Sequence, residues 1–162
     1  MSMDDPIAFY LTWPTYGTWL PGDHRGWVEH RRGWQLPDPI AWLEARSLMK
    51  ENACRLSPVD RQIVEAQVAE TCVSRGWILF AANCRSNHIH VVIGACETSP
   101  KKIRNDIKAW STRRLRAADP NRDKWWAERG SERHIYTEES LETVVAYVTE
   151  AQDRKHLDRG SS

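Results

Sequence analysis

The segment Asn87-His88-Ile89-His90-Val91-Val92-Ile93 constrains the fold of this chain more than any other. Successive side chains of a strand alternate between faces, so Ile89, Val91 and Ile93 require an apolar core on one side while His88 and His90 share the other. Two imidazoles on one strand face can grip a cation, or they can be a solvated or internally satisfied pair. Two cannot complete a coordination shell. A metal site here needs a third protein ligand from elsewhere, and it leaves positions open for substrate oxygens, which suits Lewis-acid chemistry on a phosphate.

The rest of the chain supplies the partners of that strand. Ile7 to Trp13 reads as a first strand, ended by Pro14 and the turn-like Thr15-Tyr16-Gly17. A breaker-rich excursion then runs over about 14–56, with one short helix expected from Ile40 to Met49. Ser57-Pro58-Val59-Asp60 opens a helix that should reach Arg75 and close at Gly76. Trp77 to Asn83 and Asn87 to Ile93 read as neighbouring strands joined through Cys84-Arg85-Ser86. Ser99-Pro100 starts a second long helix to about Leu115. A strand around Arg133 to Tyr136 and a helix capped by Thr137, running to about Asp153, complete the order. This is an α+β, ferredoxin-like antiparallel sheet with helices on one face and an extra C-terminal helix, in a single domain spanning 1–162.

Composition narrows the setting. With 162 residues, 41% of them apolar, the chain can bury a core without disulfides. Cys54, Cys72, Cys84 and Cys96 form no Cys-x-x-Cys pair, which excludes a zinc ribbon and a thioredoxin-like motif and fits reduced thiols. No apolar run reaches membrane-spanning length and no signal pattern is present, so a cytoplasmic protein without a membrane partner is expected. A net charge of +1 leaves a nucleic-acid partner open, since the clustering of basic groups decides. Nine tryptophans can anchor core and loops or stack on unpaired bases; anchoring is the commoner use.

In the last helix Leu141, Val144, Val145 and Val148 recur at helical spacing, and Tyr147 lies off their stripe. Such a tyrosine is often simple packing. A helix that follows the final strand can nevertheless cross the sheet and bring Tyr147 towards His88 and His90. With these residues, and with Thr12-Trp13-Pro14-Thr15-Tyr16-Gly17-Thr18-Trp19-Leu20-Pro21-Gly22-Asp23, Arg85-Ser86-Asn87-His88-Ile89-His90-Val91-Val92 and Tyr136-Thr137-Glu138-Glu139, the chain resembles the HUH single-strand endonucleases. More narrowly, it resembles the single-tyrosine transposases of small insertion sequences and their REP-associated relatives.

That resemblance implies that Tyr147 attacks a phosphodiester of single-stranded DNA, leaving a 3′-hydroxyl and a 5′-phosphotyrosine, with Mg2+ or Mn2+ held by His88 and His90. It also implies a hairpin-bearing DNA partner and a homodimer. In many relatives the third ligand is an amide one helical turn after the tyrosine, where this chain has Ala151. Gln152, rotated by about 100°, is the preferred substitute and Glu150 the other. A descendant that binds DNA hairpins but cleaves weakly is therefore the rival reading. The two-histidine RNA phosphoesterases, which need two separate His-x-Thr/Ser motifs, do not fit.

The second long helix carries Ile103, Ile107 and Trp110 on one stripe and Lys101, Arg104 and Lys108 roughly opposite. The latter reads as a solvated charged face or, beside a phosphate-cutting site, as a DNA backbone track continued by Arg113, Arg114 and Arg116. Arg85, leading into the histidine strand, joins the DNA-contacting set. Lys108 is expected to be long enough to reach the leaving oxygen, and Trp125 and Trp126 are either base-stacking platforms or buried anchors.

Overall fold

Three of the four described helices start where a capping side chain precedes proline. In the computed structural model, which describes residues 5–29 and 31–153 with side chains to 150, the elements are β1 (Ala8–Pro14), β2 (Trp27–Glu29), β3 (Gly33–Gln35), α1 (Pro39–Ser47), α2 (Pro58–Arg75), β4 (Leu79–Cys84), β5 (His88–Gly94), α3 (Pro100–Ala118), β6 (Ser131–Ile135) and α4 (Glu138–Asp153). Asp38, Ser57 and Ser99 each accept a backbone N–H at the start of α1, α2 and α3, ahead of Pro39, Pro58 and Pro100. Ser57 and Asp60 form a reciprocal capping box. Gly76 ends α2 in the left-handed conformation, which glycine adopts without steric cost.

Four strands make one antiparallel sheet in the order β4-β5-β1-β6. Taken as the four strands of the core, this is the ferredoxin-like order expected from the sequence. Phe9, Leu11 and Trp13 of β1 join Ile89, Val91 and Ile93 of β5 on one face, where α2 (Val64, Val68, Cys72) and α3 (Ile103, Ile107, Leu115) cover them. Trp125 and Trp126 seal the end of this layer as buried anchors. The opposite face carries Ala8, Val92 and Ile135, against which α4 packs Val148 with Leu141, Val144 and Val145 at its margin. The stripe read from the sequence is thus the buried stripe of α4, and the extra helix covers the sheet face that holds the histidines.

The excursion is ordered around the start of β5. The Thr15 amide donates to the Asn87 carbonyl (2.8 Å), the Leu56 amide to the Ser86 carbonyl (2.7 Å) and the Cys54 amide to the Tyr16 carbonyl (2.7 Å). The Thr15 hydroxyl, fully buried, donates to the Cys54 carbonyl. The long loop therefore fixes both of its own ends to the turn that precedes His88. It also contains the β2–β3 hairpin, which sequence reading missed because each strand is only three residues long.

Candidate active site

Strand alternation delivers His88 and His90 to the α4 side of the sheet, and their positions are tightly defined. The Nε2 atoms lie 2.9 Å apart, with the rings edge-to-face at 4.6 Å between centroids. Each outer nitrogen has its own partner. His88 Nδ1 is 2.6 Å from Oδ1 of Asn87, and His90 Nδ1 is 2.7 Å from the Tyr10 hydroxyl. Tyr10 lies opposite Val92 on β1, so it reaches His90 along the diagonal between neighbouring strands.

The surroundings hold both imidazoles neutral. Burial drives His88 down to about 3, helped by His90 and by the charges of Arg85 and Arg25; burial and Arg85 bring His90 to about 4. Burial lifts the Tyr10 phenol to about 12, with Tyr147 adding to the rise and Arg133 opposing it. Neutral imidazoles with lone pairs are what a cation requires. The two Nε2 atoms, 2.9 Å apart, are near enough that both could hold a single cation.

Tyr147 meets this pair from α4. Its ring stands edge-on to His90 with 6.0 Å between centroids, and 53% of the residue is exposed, so the phenol borders both the histidine pair and solvent. Asn83 secures the helix here: its side-chain amide donates to the Val148 carbonyl across 3.0 Å. One chain alone thus assembles the two histidines and the tyrosine. Glu150 is exposed on the same helix; the Gln152 side chain lies outside the described residues. Among the described residues, no third His, Cys, Asp or Glu joins the pair.

The family model for IS200-like transposases matches residues 48–151. The chain belongs to this family. A solved structure of a REP-associated tyrosine transposase bound to a REP hairpin is similar over 96% of this chain and 72% of that one, with 12% identity and a TM-score of 0.57. A Deinococcus radiodurans R1 protein assigned as a transposase aligns over 89% of both chains at 15% identity and a TM-score of 0.48. No curated protein matches significantly.

In this transposase the basic residues of α3 are arranged differently from the sequence reading. Arg104 is not on an exposed stripe: it is buried and paired with Glu132, while Trp110 is 40% exposed under Arg113. Lys108 is not a free amine beside the histidines. It donates to the Ala127 and Glu128 carbonyls at 2.7 and 3.2 Å, and burial lowers it to about 8, with Arg104 assisting and Glu128 and Glu132 opposing. Since α3 packs on the Ile89 face, these groups lie across the sheet from the histidines. Lys101 and Arg113 remain exposed, and Arg114 pairs with Glu70 at 3.1 Å. Lys108, Arg113, Arg116 and Lys124 line a groove of about 780 Å3 beside Trp125.

Arg85 stands close enough for its charge to bear on both histidines. Arg25, which the sequence reading did not single out, bears on His88 as well. It is held by Asp23 through two nitrogens at 2.8 Å and stacks over Trp19. Its acid-x-base spacing inside the breaker-rich stretch was the available signal.

Proposed function

We propose that this transposase cuts and rejoins single-stranded DNA through Tyr147. The observation that carries the reading is the juxtaposition, within one chain, of a half-exposed phenol with a pair of neutral imidazoles. The Tyr147 oxygen attacks the scissile phosphorus and loses its proton. The bond to the 3′ oxygen breaks, giving a free 3′-hydroxyl and a 5′-phosphotyrosine. Because a phenol has a pKa of about 10, well below that of an alcohol, the phosphotyrosine bond stays reactive and a 3′-hydroxyl can reverse the step.

His88 and His90 would hold Mg2+ or Mn2+, with Gln152 as third ligand and Glu150 as the substitute. Such an ion supplies charge neutralisation at a phosphate. Arg85 is suited to contact the DNA backbone beside the pair, and Lys101, Arg113 and Arg114 to add salt-sensitive contacts further away. The similar solved structure holds a REP hairpin, and a hairpin-bearing strand is the substrate proposed here, with a homodimer as the working assembly, checked by light scattering.

The test is incubation of labelled hairpin-bearing single strands with Mn2+, followed by denaturing electrophoresis. Wild type is expected to give a covalent protein–DNA adduct, and Tyr147→Phe to give none while retaining hairpin binding. Equal absence of adduct from both proteins would replace this reading with hairpin binding without cleavage, the alternative that Ala151 motivates.

A further inference from the structure

Asp23, Trp19 and Thr18 of the long excursion lock one guanidinium in place. The Asp23 carboxylate, on a residue only 4% exposed, accepts from Arg25 Nε through Oδ1 and from Nη2 through Oδ2, both at 2.8 Å. It also accepts from the Arg25 backbone amide at 2.9 Å. Nη2 gives its other proton to the Thr18 carbonyl across 2.7 Å. The guanidinium carbon lies 4.0 Å from the centre of the Trp19 ring, and that ring is fixed by the 2.8 Å bond from its Nε1 to the Gly26 carbonyl. Three of the five N–H donors are therefore committed. The two on Nη1 have no partner among the described residues, and the side chain keeps 36% of its exposure.

This clamp is tied to the histidine strand. Thr18, whose carbonyl accepts from Arg25, holds its own hydroxyl 3.3 Å from the Asn87 carbonyl. The Thr15 amide meets the same carbonyl at 2.8 Å, and the next residue is His88. The charge of Arg25 is felt at the His88 ring accordingly. Fastening the loop uses only the edge of the fork that Asp23 and Thr18 occupy, so it leaves Nη1 unexplained. A guanidinium already held in one position loses little further freedom on meeting a ligand, and phosphate oxygens are the acceptors it suits best. Because Asp23 offsets its charge, the arginine can donate to a phosphate without repelling a cation at the histidines.

We propose that Arg25 is a preset phosphate anchor, whose Nη1 donates to a backbone phosphate of single-stranded DNA lying beside His88, and that Asp23 and Trp19 are positioning residues that fix the fork. The inference rests on the strand-cutting reading of the histidine–tyrosine site. It gives the excursion a part in holding the strand, since the loop that brackets the start of β5 also carries the anchor.

Fluorescence anisotropy with the intact protein in a Tyr147→Phe background reads binding without cutting. The probe is a labelled DNA hairpin with single-stranded flanks, carrying one neutral methylphosphonate at each flank phosphate in turn. One position is expected to weaken binding by the Tyr147→Phe parent about tenfold, the scale of a hydrogen bond to a charged group. Adding Arg25→Gln should weaken binding of unmodified DNA about tenfold and leave that one methylphosphonate with an effect within about twofold, since the partner it removes is already gone. Arg25→Gln combined with Asp23→Asn, which leaves no bare carboxylate, should show the same indifference. Circular dichroism matching the parent qualifies each variant. A parent with no sensitive position, folded variants as sensitive as the parent at every position, or unfolding of both variants would make the clamp a loop fastener and overturn the proposal. Sensitivity that depends on Arg25, with no Tyr147 adduct from wild type, would remove the strand-cutting reading and leave the contact standing.

Discussion

Arg104 illustrates how a single side chain can be misassigned by periodicity and explained by a contact. On a helical wheel it belongs with Lys101 and Lys108, yet it is 5% exposed and its charge is met by Glu132 from β6. Breaking a buried ion pair costs most when the more deeply buried charge is left behind. Glu132 retains a third of its side-chain exposure against 7% for Arg104, so the two truncations should be unequal. Glu132→Ala is expected to cost about 3 kcal/mol, the low end of the range for such a break. Arg104→Met, which leaves a carboxylate that water can reach, should cost less. Urea denaturation of both variants checks the order, and a larger loss for Arg104→Met would mean that packing of the arginine stem, and not its charge, dominates.

At the scale of elements, α4 couples stability to the site. Val148 is fully buried against Ala8, Val92 and Ile135, and its carbonyl accepts from Asn83. Val148→Ala removes two methyl groups from a packed contact and should cost about 2 kcal/mol. The loss should be local, seen as faster hydrogen exchange in α4 and a lower yield of Tyr147 adduct while the α2–α3 layer keeps its protection. Equal acceleration in α2 would contradict that division. The elements themselves were legible because their signals are local: Ser57-Pro58 and Ser99-Pro100 start helices by satisfying nearby amides, and His88 to Ile93 alternates by strand geometry alone. Tyr147 was legible through the order of elements, which sends the last helix across the open sheet face. Tyr10 was not, since its partner His90 is eighty residues away and only sheet pairing joins them. The orientation of Lys108 depended in the same way on the carbonyls of a loop with no regular pattern.

For the whole molecule, the neutral histidine pair makes stability depend on acid. In an unfolded chain both imidazoles titrate near 6.5; in the fold they titrate at about 3 and about 4. Between those values the unfolded state binds more protons, so unfolding becomes easier as pH falls. The contribution is fully present above about pH 6.5, declines through the range down to about 4 and then about 3, and changes no further below. Each histidine should supply a slope of up to about 1 kcal/mol per pH unit. Denaturant unfolding followed from pH 7.5 towards pH 4.5, of which about the lower two units lie within the range where these groups act, should therefore give a steeper fall for wild type than for His88→Gln. The variant has no imidazole to charge at that position, so only the His90 contribution, set by burial and Arg85, should remain. Parallel slopes in the two proteins would mean that the pair is hydrated and titrates as freely as in the unfolded chain, which is incompatible with rings held 2.9 Å apart between Asn87 and Tyr10.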